Sequence, residues 1–219
     1  REVTGSDGTL ELWAGNADSI QRFAAGRCTR WPMSRWMTQC GVWNILEETS
    51  EGRTTAIWFG TSGRGLVRWE LGRWTNYGAT RVGESESIYS FVETVSESGD
   101  RAVLVGTSSG RVYQIGEDLK LLYGDENPHL GGAVSALLET ADEKGGRVLW
   151  IGTRGRGLHV KRSGSWTIHS NGPVSYTRED GQVVVRNVQP LVSGGVAAIT
   201  EVTTPDDRRD VLIGTQGGI

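Results

Sequence analysis

The stretch Ile57-Trp58-Phe59-Gly60-Thr61-Ser62-Gly63-Arg64-Gly65-Leu66 decides how this chain folds, because its first half recurs four more times. It returns as Val103-Leu104-Val105-Gly106-Thr107, as Leu149-Trp150-Ile151-Gly152-Thr153 and as Val211-Leu212-Ile213-Gly214-Thr215. A weaker copy, Leu12-Trp13-Ala14-Gly15-Asn16, comes first. The central glycines stand 45, 46, 46 and 62 residues apart. Other positions keep step: Trp31, Tyr77, Tyr123 and His169 are each 46 apart. A glutamate (Glu2, Glu48, Glu93, Glu139, Glu201) stands thirteen residues before each glycine, or twelve in the case of Gly60. Self-similarity at a fixed period of this length is the mark of a repeat architecture.

Around the second copy, four short runs rich in β-branched and aromatic residues follow one another: 43–49, 55–61, 66–70 and 73–77. Each is bounded by Gly, Ser, Asn or Asp, the punctuation of strands and tight turns. Ser50-Glu51-Gly52-Arg53 and Glu97-Ser98-Gly99-Asp100 have hairpin-turn chemistry. Four strands in a period of 40–50 residues predict an all-β fold, a β-propeller of four-stranded antiparallel blades. Trp, Ile, Leu and Val would fill the space between blades. The glycine of each Gly-Thr pair marks a place where a side chain would obstruct a turn or a close backbone approach.

Composition agrees. The chain has 219 residues, enough to bury a core without disulfides or metal, and 32 of them are Gly, about twice the usual ~7%. A formal charge of −3 gives no global electrostatic case for nucleic-acid binding. Apolar runs are too short to span a membrane as a helix.

The repeated residues resemble the two-component regulator propeller repeat: a hydrophobic-Trp-hydrophobic-Gly-Thr run, then Gly-x-Gly-Leu, then a closing Trp-Thr-x-Tyr. Here these are Trp58-Phe59-Gly60-Thr61, Gly63-Arg64-Gly65-Leu66 and Trp74-Thr75-Asn76-Tyr77. The fourth copy has Trp150-Ile151-Gly152-Thr153, Gly155-Arg156-Gly157-Leu158 and Trp166-Thr167-Ile168-His169. The third copy, with Ser108-Ser109-Gly110-Arg111, and the first, with Asn16 and Ser19, depart from the pattern. The resemblance implies the sensor part of a bacterial signalling protein, usually periplasmic, whose output domain lies outside this chain.

Aligned on the glycines, the copies read as blades near 1–31, 43–77, 88–123, 134–169 and 196–219, a single partial propeller domain of about four and a half blades. Family propellers are usually seven-bladed, so the reading expects the remaining blades in the same protein or a self-associated copy; a closed ring of four or five blades is the alternative. An insertion over 171–190 carries Val174-Ser175-Tyr176-Thr177 and Gln182-Val183-Val184-Val185 around Asp180-Gly181, a hairpin signal on a connection between blades. Such a long loop either carries function or decorates the rim.

No catalytic constellation stands out, and the reading is of a chain that is not an enzyme. His129, His159 and His169 lack metal-ligand spacing, and no cofactor or metal is expected. Leu71-Gly72-Arg73-Trp74 and Ser163-Gly164-Ser165-Trp166 lack the aspartate of the Asp box found in propeller glycosidases. The five glutamates either ring a channel as a cation site or serve each blade as hydrogen-bond acceptors. Cys28 and Cys40 either pair in an oxidising compartment, or Cys28 is a buried thiol in the apolar register of Trp74 and Trp166.

Turns between strands two and three should share a face with the connections between blades. That face would gather Arg64, Arg154 and Arg156 with Trp36, His129 and Tyr176 as ligand-binding residues. Guanidinium forks take carboxylates or sulfates, and aromatic faces stack on sugars or cations. An Arg-over-Lys bias throughout the chain supports the plainer reading of a solvated rim. The expected function is a non-catalytic sensor module binding a carbohydrate or small anionic ligand, or a partner subunit. The alternatives are a protein-interaction scaffold and a sugar-active propeller with its acidic pair in other blades.

Overall fold

The computed structural model describes residues 1–5, 8–32, 41–50, 53–77, 86–95, 99–115, 119–124, 130–170, 174–177, 183–186 and 194–217. They form antiparallel sheets whose strands follow one another in chain order, grouped in two compact units, Arg1–Tyr89 and Ser90–Ile219. Among the described residues no helix is long and apolar enough to cross a membrane.

In the first unit, β1 (Glu2–Thr4), β2 (Leu10–Gly15), β3 (Ser19–Ala24) and β4 (Arg27–Pro32) make one four-stranded sheet. A second sheet holds β5 (Val42–Ser50), β6 (Arg53–Thr61), β7 (Leu66–Glu70) and β8 (Arg73–Asn76), each strand within a few residues of the sequence expectation. β9 (Ile88–Val95) begins here and runs into the second unit, where β10 (Arg101–Thr107), β11 (Val112–Ile115) and β12 (Leu119–Tyr123) complete its sheet. β13 (Val134–Ala141), β14 (Arg147–Thr153), β15 (Gly157–Arg162) and β16 (Ser165–His169) follow, then β17 (Val174–Thr177) and β18 (Val183–Arg186). The insertion thus forms the expected hairpin, but it extends the fourth sheet to six strands by pairing β17 with β16. β19 (Val196–Thr203) and β20 (Arg209–Thr215) pair as a two-stranded sheet.

The repeated glycine has a specific task. A Cβ added at Gly15, Gly60, Gly106 or Gly152 would come within 3.0 Å of Val42, Ile88, Val134 or Val196 respectively, in each case the first residue of the following sheet. Each glycine is therefore the notch that receives a β-branched side chain from the next blade. The same atom at Gly214 would meet Ala198 at 3.7 Å, an ordinary contact. The hairpins between strands three and four are two-residue turns with positive φ at both positions: Ala25-Gly26, Leu71-Gly72 and Ser163-Gly164. This is the type I′ geometry that matches strand twist, so Leu71-Gly72 and Ser163-Gly164 serve their blades as hairpin turns.

Packing between sheets differs by unit. Trp13, Ile20, Ile57, Phe59 and Val67 form a buried cluster in the first unit, with Trp31, Trp69 and Trp74 packed against it. Trp13 and Trp31 stack at 5.5 Å with an interplanar angle of 3°. In the second unit Leu104, Val112, Leu130, Val134, Leu137, Leu149, Ile151 and Trp166 fill the corresponding space. Val148, Leu158, Val160 and Val196 form another cluster, joined by Ile213.

Candidate functional site

The turn after each Gly-Thr pair is locked from inside. Thr61 Oγ1 donates to Gly65 O at 2.7 Å, and Thr153 Oγ1 donates to Gly157 O at 2.9 Å; both threonines are fully buried. The turn is also held from both sides. Ser62 N donates to Gly41 O, before β5, while Gly65 N donates to Glu86 O, before β9. The fourth sheet repeats this with Arg154 N on Ala133 O and Gly157 N on Gly194 O. In the second and fourth sheets the turn between strands two and three is thus clamped between the entries to its own sheet and the next.

On these locked turns Arg64, Arg154 and Arg156 are exposed. Arg64 belongs to the first unit, and Arg154 and Arg156 to the second. The stem of Arg156 lies over Gly131, where an added Cβ would be 3.3 Å from its Cγ and Nε. Trp36 and His129 lie outside the described residues. Tyr176 is not on a loop between blades: it sits within β17, opposite Thr167 and Val184. The hairpin absorbed it because pairing with β16 satisfies the backbone that a loop would leave to solvent.

Two of the repeated glutamates, Glu48 and Glu139, act as hydrogen-bond acceptors for side chains. Glu48 accepts the indole N–H of Trp58 at 2.7 Å and the guanidinium of Arg68, which also lies 5.1 Å over the Trp58 ring. Glu139 accepts Thr94 Oγ1 at 2.7 Å and pairs with Arg147, whose guanidinium this partner holds above its ordinary pKa. In the first sheet the role passes to Glu11 on strand two, buried between Trp13 Nε1 at 2.9 Å and Arg22. What Trp13/Arg22 and Trp58/Arg68 share is register, each pair standing directly opposite across strands two and three, while their separations in sequence differ by one residue. Among the described residues no three His, Cys, Asp or Glu side chains converge as a metal site.

Cys28 pairs with Phe23 across the strands as Trp74 pairs with Trp69, so it holds the blade register of Trp74. It is nonetheless an exposed free thiol, not a buried one. The reason is which face it shares: Leu12, 49% exposed, and Phe23, 40% exposed, lie beside it and line a groove of about 540 Å³ with Leu10. The equivalent face of the second sheet, with Ile57, Phe59 and Trp74, is covered by the first. Cys40 lies outside the described residues.

His159 is 2% exposed on β15, opposite Ile151 and Ile168, and neither ring nitrogen has a hydrogen-bond partner. Burial lowers its pKa to about 4, so the ring is neutral. His169 takes the register of Tyr123, half-buried, and burial lowers its pKa too.

No protein family matches the chain, and no curated protein matches it. Solved structures do. The chain is similar to BBS1N in its complex with ARL6DN, at 12% identity and a TM-score of 0.53, over 97% of this chain and 74% of that one. It is similar to virginiamycin B lyase from Staphylococcus aureus (14% identity, TM-score 0.50, 96% and 82% covered). Sqt1 of Chaetomium thermophilum matches at 14% identity and a TM-score of 0.50, with 98% and 68% covered. With the successive four-stranded sheets, these likenesses define the class: the chain is a β-propeller of about four blades.

Proposed function

We propose that this chain is a non-catalytic recognition module that binds anionic ligands through the turns between strands two and three. The observation that carries this reading is the contrast within each turn. Thr61 and Thr153 fix the backbone through buried hydrogen bonds, while Arg64, Arg154 and Arg156 stand exposed at the tips. A rigid scaffold with charged, adaptable tips is the arrangement by which loops on a β-framework recognise partners, and guanidinium groups favour carboxylates and sulfates. The resemblance of the second and fourth copies to the two-component regulator repeat extends the reading to the ligand-sensing part of a bacterial signalling protein, outside the cytoplasm.

Thermal-shift measurement of the folded chain against acidic and neutral oligosaccharides tests it. Stabilisation by acidic oligosaccharides, lost in the triple variant Arg64→Gln, Arg154→Gln, Arg156→Gln, is the expected result; no stabilisation by any of them would overturn the reading. A second reading, a protein-interaction scaffold, draws on the similar BBS1N structure, which holds a protein partner. The open groove beside Leu12 and Phe23 also supports it. A stable protein complex recovered in the absence of any ligand response would favour it.

A further inference from the structure

The ligand face of the first unit contains an aromatic pair that the repeat does not require. Trp43 follows Val42, the residue that enters the Gly15 notch, and Tyr89 follows Ile88, which enters the Gly60 notch. The equivalent residues after Val134 and Val196 are Ser135 and Ala197, so blade construction accepts small side chains here. Trp43 is 59% exposed, and its ring meets Tyr89 at 5.8 Å and 84°, edge to face. Perpendicular rings form a corner, not a closed stack, and Asn44 Nδ2 holds the two strands together by donating to Tyr89 O at 3.4 Å.

The Arg64 turn is fastened to this corner. Ser62 N donates to Gly41 O at 2.8 Å, and Gly63 N donates to Ser87 Oγ at 2.8 Å. Gly41 and Ser87 each precede one of the two aromatic residues by two positions, at most about 7 Å of chain. Arg64 is exposed at the tip between them, with no carboxylate partner among the described residues. The neighbouring Glu86 is buried, at 8% exposure, and its carbonyl is occupied by Gly65 N. An aromatic corner tied through the backbone to an arginine-bearing turn, with no exposed carboxylate on that turn or its two anchoring entries among the described residues, disfavours a cationic guest. It suits a molecule with an apolar ring face and a negative substituent.

We propose that Trp43, Tyr89 and Arg64 form a subsite for an acidic sugar residue, its ring face laid on the Trp43 indole and its carboxylate or sulfate held by Arg64. This rests on the recognition-module reading above and names the ligand class and two residues for it. The test is calorimetric titration of the folded chain with an oligogalacturonate, a sulfated heparin-derived oligosaccharide and a neutral cello-oligosaccharide of equal length. The titrations are repeated on Trp43→Ala, Arg64→Gln and the double variant Arg154→Gln, Arg156→Gln. Because Trp43 and Arg64 are exposed, circular dichroism should be unchanged in their variants. The expected result is binding of an acidic oligosaccharide that weakens with salt, falls about tenfold or more in Trp43→Ala and falls at least fivefold in Arg64→Gln. The carboxylate or sulfate source is decided by which acidic probe binds.

Acidic binding that survives Trp43→Ala but is lost in the Arg154/Arg156 variant would overturn this subsite and leave the broader reading intact. Equal binding of the cello-oligosaccharide, or Trp43-dependent binding of tetramethylammonium, would overturn the ligand class. Absence of binding by every probe would overturn both.

Discussion

The two units solve the same packing problem with different side chains. In the first, Trp13, Trp31, Trp69 and Trp74 interleave with Phe59 between two sheets, and Trp13 touches Trp69 at 4.9 Å between ring centres. In the second, Leu104, Val112, Leu137, Leu149 and Ile151 occupy the corresponding space, with Trp166 and Tyr123 meeting edge to face at 5.2 Å. The backbone register is shared, as is the glycine notch that seats Val42, Ile88, Val134 and Val196. The repeat therefore fixes where sheets approach, and the fill between them is free to vary as long as volume is conserved.

That comparison can be broken most forcefully at its centre. Trp13→Ala removes a fully buried indole and should cost about 3–5 kcal/mol in urea denaturation, against about 2–4 kcal/mol for Leu104→Ala. A larger loss at Leu104 would mean that the aliphatic core is the more demanding of the two. The next largest effect is peculiar to the second unit. His159 titrates near pH 4 in the folded chain and near 6.5 when unfolded, so the unfolded chain takes up the proton first. Its contribution is full above about pH 6.5 and is lost as pH falls toward 4, to a limit of about 3 kcal/mol. His159→Leu should flatten stability between pH 7 and 4.5; an unchanged slope would locate the titration elsewhere.

At the notch, Gly152→Ala should cost about 1–3 kcal/mol by overpacking against Val196, while Gly214→Ala, facing Ala198 at 3.7 Å, should cost far less. Equal losses would remove the notch as the reason for the repeated glycine. The smallest effect is a gain. Leu71 is 86% exposed with φ 46° in a type I′ turn, so Leu71→Asn should raise stability by about 0.5–1 kcal/mol in thermal unfolding.

What could be read from the sequence were the features that every blade needs. Gly-Thr and Gly-x-Gly-Leu recur because a notch, a buried threonine bond and a clamped turn recur, and so strand order and the arginine-bearing turns were legible. Features that depend on what lies over a face were not. Cys28 has the register of Trp74, yet its exposure follows from the sheet face it shares with Leu12 and Phe23. Glu11 replaces the first-strand glutamate from a different strand, which no fixed spacing announces. Trp43 and Tyr89 share a blade position but not a residue type, so residue identity between the copies does not mark the pair.

The clamped turn has a mechanical side. Within four residues, Ser62, Gly63 and Gly65 tie the Arg64 tip to the strand entries at Gly41, Ser87 and Glu86. A load applied at that tip is divided at once between β5 and β9, the first strands of two successive sheets. The turn works as a bridle: whatever pulls on Arg64 pulls on both strands together, before any side chain between the sheets has moved.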